Sequence, residues 1–397
     1  MPCRRNDSPP ADAGWLRIEV DASALEHNIR LFRSLAPPPT RLLAVVKSEG
    51  YGHGLVLAAR AFLAGGADVL GVHGVAEAGR LRCAGLDAPI LVLGPLTRAG
   101  VELARRLGAE ITVSSLAGVA DAAAVCADDT APALGVHLKV ETGVNRQGVV
   151  EAELPEVLRA LAGARGLRLV GLSSHFADIE DTTDHSFARA QQDRFEAFRA
   201  SLSAQGHVDL CHHMSCSAAA ILWPQSHRAL VRVGISAYGL WPSRESRISA
   251  RAAGRGELPL RPALTWTCGI SQIKSVPAGE TVGYGRSWKA PLPSRIAVLP
   301  VGYADGWPRA LSNRAHVLVR GQRAPLRGRV CMNLCMADVT HIPEARPADR
   351  AVLLGRQGDE TVTAEMLAEW LGTISYEVLT LPGSSWERVA TQWGEPA

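Results

Sequence analysis

No CxxC pair occurs among the eight cysteines, no GxxxxGK[ST] loop is present, and no apolar run approaches the ~18 residues that span a bilayer. The first absence argues against the common zinc and dithiol motifs. The nearest cysteines, Cys211 with Cys216 and Cys331 with Cys335, fit no standard zinc spacing even with His212 and His213 beside Cys216, so no metal is expected. The second removes a nucleotide P-loop, the third a membrane span. Nor does one sign of charge dominate: 42 basic residues stand against 39 acidic ones, a net +3 spread along the chain, which gives no reason to expect nucleic acid or an anionic membrane as partner. The first fourteen residues carry arginines but no apolar core, so 1–14 reads as a polar leader rather than a signal peptide. Reduced thiols in the cytoplasm are the expectation.

What is there is ordinary for a globular enzyme: 397 residues, 47% hydrophobic and 20% charged, enough for two or three domains or a large barrel with a smaller companion. Trp15–Val20 alternates apolar and polar like a half-buried strand, and Asp21 caps a helix over Ser23–Leu35. Short apolar strands then begin near Leu42, Asp68, Pro89, Glu110, Leu134, Leu167, Val208 and Leu230. Helical segments separate them at Gly54–Ala64, Val75–Ala84, Arg98–Leu107, Ser115–Cys126, Glu151–Ala164, His185–Gln205 and Ser217–Leu222. Eight such units close best as a (β/α)8 barrel over 15–242, with a doubly wound open sheet as the alternative. The polar, Arg/Gly-rich stretch 243–260 reads as a linker. A mainly β domain follows over 261–397, with strands such as Leu264–Ile273, Ile296–Val301, His316–Val319 and Ala351–Leu354, and one convincing helix at Thr363–Leu371. The strand at 15–20 is a candidate for the β domain instead of the barrel.

Chemistry in such a barrel sits at the C-terminal ends of the strands. Strand one ends in Lys47, followed by Tyr51 among glycines 50, 52 and 54. A lysine at the mouth of a buried strand loses solvation, which lowers its pKa and frees its amine for Schiff-base chemistry. Strand five carries Lys139 and runs into Glu141, Thr142 and Arg146; strand six ends in Ser173-Ser174-His175; strand seven leads through His212 and His213 to Ser217; strand eight carries Arg232 before Gly234-Ile235. Singly, each has a plain structural use: a solvated lysine, a core histidine, a helix cap, a surface ion pair. Together they put reactive types on one rim. Barrels commonly hold a phosphate after strands seven and eight, and a lysine on neighbouring strand one then suggests pyridoxal 5′-phosphate.

The motifs carry a resemblance that runs from about Trp15 to Leu381. The stretch from Ala44 through Lys47 to Gly54 resembles the cofactor-lysine signature of alanine racemases. In the same order follow Leu138–Gly143 with Arg146, Ser174–Ala177, Val231–Ile235 with Tyr238-Gly239, Val282–Gly285, Gly302–Gly306 and Gly328–Met332. The resemblance implies a homodimer with shared active sites. In it Lys47 binds the cofactor and serves as one acid/base, and Tyr284 of the partner subunit is the other. It further implies that Tyr51, Ser217, Gly234, Ile235 and Tyr376 hold the phosphate, that Arg232 supported by His175 faces the pyridine nitrogen, and that Arg146 and Met332 serve the substrate carboxylate. Lys139 matches a lysine that is often carbamylated in the family. One base on each face of Cα racemises without turning the substrate over. A buried tyrosine would need a cation to act so, with Arg286 or Arg309 as candidates. Three positions depart from the common pattern: Asn333 for Asp, Cys216 for Asn and Asn145 for Gly. They bear on whether serine or other small amino acids are also substrates. Weighed against this are a decarboxylase of the same architecture (which would want a glycine triplet that is absent here), a cofactor carrier, and a sugar-phosphate barrel in which Lys47 is only a charged pocket residue.

Overall fold

The computed structural model describes residues 14–127, 132–383 and 386–391. Most of the polar leader and the extreme C-terminus lie outside the described residues. The chain forms two compact units. The first comprises Ala24–Gly50 and Leu55–Pro262; the second comprises the described residues before Ala24, Tyr51–Gly54, and those from Ala263 onward.

The first unit is the expected barrel. Strand β1 (Leu16–Asp21) belongs to the other unit, and the barrel strands are β2 (Arg41–Val45), β3 (Val69–Val72), β4 (Ile90–Val92), β5 (Glu110–Val113), β6 (Leu134–Lys139), β7 (Leu167–Ser173), β8 (Cys211–His213) and β9 (Leu230–Val233). They pair in parallel in the order β8-β7-β6-β5-β4-β3-β2-β9, so sequence neighbours are spatial neighbours and β2 meets β9. The remaining seam, between β8 and β9, carries single bonds rather than a ladder: Ala229 N donates to His212 O at 3.2 Å and Arg232 N to Ser215 O at 3.0 Å. β3, β4 and β9, and β2 after its exposed Arg41, are buried on both faces because helices cover one side and the barrel core fills the other. The seventh strand starts at Cys211, later than Val208, which is exposed.

The second unit is mainly β. β1 has the half-buried alternation of its sequence and pairs antiparallel with Leu264–Gly269 and parallel with Arg388–Thr391. The apolar run Leu264–Ile273 is two strands, Leu264–Gly269 and Gln272–Val276, in different sheets. The break follows Gly269, whose Cβ would fall 2.7 Å from the Trp15 ring. A helix at Ser375–Thr380, too short to show periodicity, follows Ala364–Leu371. The stretch read as a linker, 243–260, holds a nine-residue helix, Arg244–Ala252, within the first unit. Its polar composition hides a cap: Ser243 Oγ accepts from Ser246 N at 2.9 Å, while Arg247 and Arg251 both reach Glu257.

Candidate active site

Past β2, Val46 N donates to Gly71 O, and Lys47 opens a turn of unusual hand. Ser48, Glu49 and Gly50 have φ of 54°, 55° and 58°, and Tyr51 has φ 49°. Left-handed backbone costs an L-residue about 1–2 kcal/mol, so three non-glycine residues in it require support from outside the turn. Glu77, in the helix Val75–Cys83, supplies it. Its Oε1 accepts from Ser48 N at 2.7 Å; its Oε2 accepts from His73 N at 2.7 Å and Gly74 N at 3.2 Å. Arg80 pairs with the Glu49 carboxylate. Gly50 cannot be larger, since a Cβ there would lie 2.9 Å from that of Ala58. The buried Tyr238 hydroxyl donates to Val45 O at 2.8 Å and fixes the strand's end. Burial, and secondarily the charge of Arg146, hold the Lys47 amine below its ordinary pKa, with Glu77 opposing.

At the end of β6, Lys139 is pulled down to about 8 by burial and then by Arg232 and Arg146. Glu141 sits under the next turn. Burial disfavours its charge, but the backbone N–H groups of Asn145, Gly143, Val144 and Arg146 hold its carboxyl below the usual range, with Gly143 N at 2.6 Å. Asn145 has φ 53°, a conformation asparagine tolerates better than most residues, which accounts for its standing in for glycine. At the end of β7, Ser174 Oγ donates to Val140 O and lies 2.8 Å from Thr142 Oγ1. The wholly buried Gln191, on the helix Ser186–Ala204, binds Thr142 Oγ1, His175 O and Ala177 N, tying the two loops together.

Arg232 lies in the middle of this rim. Its guanidinium donates to Ser174 O at 2.7 Å, His213 O at 3.0 Å and Met214 O at 3.2 Å, and to the Nδ1 atoms of His213 at 2.6 Å and His175 at 3.2 Å. Burial pulls it down to about 10, still a cation at neutral pH. His175 is held neutral, far below its ordinary range, first by burial and then by the charges of Arg232, Arg146, Lys139 and Lys47. Five predicted site residues of the first unit (Lys47, Lys139, Arg146, His175 and Arg232) thus feel one another. Nearby, Ser217 Oγ accepts from Gly234 N at 2.9 Å, and Ile235 begins a buried turn. Cys216, before Ser217, is half-buried, and desolvation pushes its thiol up to about 11, so it is no nucleophile at neutral pH.

The remaining predicted residues belong to the second unit. The rings of Tyr51 and Tyr376 lie 6.1 Å apart. Tyr284 sits at the tip of a small hairpin, Thr281–Val282 with Trp288–Lys289, flanked by Gly283 (φ 75°) and Gly285 (φ 70°), and is 73% exposed. A Cβ on Gly285 would be 2.7 Å from the Arg329 guanidinium carbon, so Arg329 is a further cation beside this turn, in addition to Arg286 within it. Met332 is 57% exposed, and its carbonyl accepts from Ala304 N at 2.9 Å. Asp305 accepts from Gly302 N and from the Asn333 amide. An aspartate at 333 would set two carboxylates against each other; the amide donates instead.

The family descriptions "Alanine racemase, N-terminal domain" and "Alanine racemase, C-terminal domain" match residues 20–242 and 263–390. The chain belongs to the alanine racemase family. It is an isomerase of the amino-acid racemase class. The alanine racemase of Syntrophobacter fumaroxidans is 43% identical over 365 residues, 91% of this chain and 93% of that protein. That of Desulfosudis oleivorans is 39% identical over 380 residues, 93% of this chain and 94% of that protein. Among solved structures, the Bacillus anthracis alanine racemase with bound L-Ala-P is 33% identical with a TM-score of 0.89, covering 96% of this chain and 95% of that one. The roles of Glu77 and Gln191 are hidden in the sequence because each reaches a group remote in sequence, Ser48 N for Glu77 and Thr142 Oγ1 for Gln191; Glu77 at the third position of a helix is the one available signal.

Proposed function

We propose that this chain interconverts L- and D-alanine with pyridoxal 5′-phosphate, as a cytoplasmic homodimer supplying D-alanine for the cell wall. The observation that carries the reading is the cluster of Lys47, Lys139, Arg146 and Arg232, each depressing a neighbour's pKa at one rim of the barrel. Such a cluster suits an occupant that is strongly anionic and offers a phenolic oxygen and a ring nitrogen to separate donors. When bound, pyridoxal phosphate supplies an electron-withdrawing ring that acidifies the C–H bond at the substrate's Cα.

The chain's own groups do the rest. Lys47, easily deprotonated for a lysine, takes or returns a proton on one face of Cα. The partner's Tyr284 serves the other, and its exposure here leaves it accessible to a second subunit. Ser217, Gly234, Ile235, Tyr51 and Tyr376 would hold the phosphate. Arg232, buttressed by His175, would face the pyridine nitrogen and, staying protonated, would keep it from gaining a proton, so that the ring would be a weaker electron sink and side reactions such as transamination would be limited. Arg146 and the backbone N–H of the partner's Met332 orient the substrate carboxylate. Lys139 at about 8 supplies enough neutral amine to add carbon dioxide, releasing a proton and placing a carbamate anion among Arg146 and Arg232. Asn333, donating to Asp305, leaves no second carboxylate at that place, which favours testing serine beside alanine.

The test is solvent deuterium entering Cα of L-alanine, followed by chiral analysis, in wild type and Tyr284→Phe. Wild type should label both enantiomers and equilibrate them, and the variant should lose exchange on the face Tyr284 serves. Alanine inert while serine or a basic amino acid exchanges would overturn the substrate assignment. A yellow protein that exchanges nothing would favour a carrier.

A further inference from the structure

The buried cation Arg232 has no acid beside it. Among the described residues its side-chain bonds go to three carbonyl oxygens and two imidazole nitrogens, none to a carboxylate. One of those imidazoles begins a chain that does end in a carboxylate. His213 Nε2 lies 2.8 Å from His137 Nδ1, and His137 Nε2 lies 2.9 Å from Glu110 Oε2. Both histidines are buried in the barrel core, whereas the Glu110 side chain is 38% exposed. Glu110 opens β5, so it stands at the end of the barrel opposite the strand C-termini that form the rim.

The direction of every bond in this chain is forced. A guanidinium has no acceptor, so His213 Nδ1 must accept, and the proton of a neutral His213 is on Nε2. That proton is donated to His137 Nδ1, which leaves the His137 proton on Nε2, donated to the Glu110 carboxylate. Two glycines leave room for it. A Cβ at Gly171, on β7, would fall 2.2 Å from His137 Nδ1, and one at Gly135, on β6, would fall 3.0 Å from Glu110 Cγ. Neither has a positive φ, so the packing of the relay, rather than backbone conformation, is what excludes a side chain there. The His137 bond, against the cost of burial and with Arg41 and Arg168 assisting, keeps Glu110 ionised.

We propose that Glu110 and His137 are positioning residues for Arg232, holding it through His213 from the far end of the barrel. The carboxylate accepts the proton at the far end of the chain and so polarises His213 Nδ1 toward the guanidinium. Arg232 is thereby compensated without a carboxylate at the rim, where one would compete with an anionic cofactor. The role toward the reaction rests on the reading that Arg232 faces the cofactor.

Ring-15N spectra of histidine-labelled full-length protein, with and without pyridoxal phosphate, test the relay itself; kcat and KM for L-alanine test its use. The variants are Glu110→Ala, which removes the acceptor at a partly exposed site, Glu110→Gln, which keeps an oxygen but no charge, and Gly171→Ala, which displaces His137 and leaves Glu110 in place. Wild type should show His137 and His213 as Nε2–H tautomers. Glu110→Ala should shift the ring nitrogens of His213, which it does not touch, and lower kcat by about 2- to 30-fold with KM little changed. Glu110→Gln should fall between, and Gly171→Ala should match Glu110→Ala. A His213 proton on Nδ1 in wild type, or His213 signals unmoved by Glu110→Ala, overturns the relay. Shifted signals with unchanged kcat in an active enzyme overturn the positioning role alone. Expected tautomers in a protein that binds no pyridoxal phosphate defeat the cofactor reading, and the positioning role falls with it.

Discussion

Replacing Glu77 by glutamine isolates the support of the turn that carries Lys47. The wild-type carboxylate uses both oxygens, one for Ser48 N and the other for His73 N and Gly74 N. A glutamine has one oxygen and one NH2, so either Ser48 or the His73–Gly74 pair must face a donor. A hydrogen bond to a charged group contributes about 1.5–3 kcal/mol, and an orphaned donor costs about 1–3. Glu77 is half-exposed, so water recovers part of this and the lower end, about 1–2 kcal/mol, is the better estimate. That loss falls on a turn in which Ser48, Glu49 and Tyr51 already carry about 1–2 kcal/mol of left-handed strain each. If the competent turn loses its margin, kcat falls by about 5- to 30-fold, since 1.4 kcal/mol is a factor of ten. A second effect has a definite sign. Glu77 raises the pKa of Lys47, so its neutralisation lowers that pKa further, and the limb of the kcat/KM profile governed by Lys47 moves to lower pH. The assay is alanine racemisation by polarimetry or coupled D-alanine detection from pH 6 to 10, with circular dichroism to confirm folding. Activity within twofold of wild type together with an unmoved limb would refute the claim that Glu77 sustains this turn.

Three other outcomes are expected. Tyr284→Phe should lose about 10²- to 10⁴-fold in kcat, the usual worth of a general acid–base, while its melting temperature holds, because the side chain is exposed; a lowered melting point with retained activity would reverse the reading. Gly50→Ala should destabilise by about 1–3 kcal/mol in denaturant titration, since it combines φ 58° with a 2.9 Å clash against Ala58 Cβ, whereas Ser48→Gly should be tolerated. Burial, with Arg232's charge next, keeps His175 and His213 neutral in the folded chain, while unfolded histidines take up protons below about pH 6.5. Stability should therefore be full above that pH and fall as pH drops below it, by up to about 1.4 kcal/mol per unit for each; a flat unfolding free energy from pH 7 to 5 would contradict it.

Much of the barrel is legible because its signals are local. Each apolar strand is short and continuous, each helix is periodic, and the chemistry-bearing residues follow strand ends, so Lys47, His175 and Arg232 can be assigned to one rim by counting units. What the sequence conceals is of two kinds. Turn hand is one: a Lys-Ser-Glu-Gly-Tyr run has good helical propensity in its first three residues, and tertiary support such as that from Glu77 and Arg80 makes a left-handed turn of it. The other is buried polarity on a strand that reads as apolar. His137 lies inside Leu-Gly-Val-His-Leu-Lys, and its partners are 27 and 76 residues away, so no window of sequence brings the three together. The helix at Arg244–Ala252 is a milder case, masked by composition although its serine cap stood in plain view.

The placement of acids explains why the rim can be so basic. Burial, together with repulsion among the cations of this rim, holds Lys47 and Lys139 below their ordinary pKa values, and burial alone lowers Arg232. A carboxylate among them would relieve the strain but would also occupy the place of an anionic ligand and bind it less tightly. Each acid that stabilises this rim is instead engaged elsewhere. Glu77 spends its oxygens on the backbone of the Lys47 turn, Glu141 accepts the N–H groups of its own loop, and Glu110 is reached from Arg232 only through two imidazoles. With Lys139 unmodified, the positive field is thus left uncancelled at the rim while the fold retains compensating negative charge one to three hydrogen bonds behind it. On this argument the stability added by a bound anion should be unusually large for the chain. Neutralising Lys139 or Arg146 should raise the melting temperature of the ligand-free protein while reducing the further rise that pyridoxal phosphate brings.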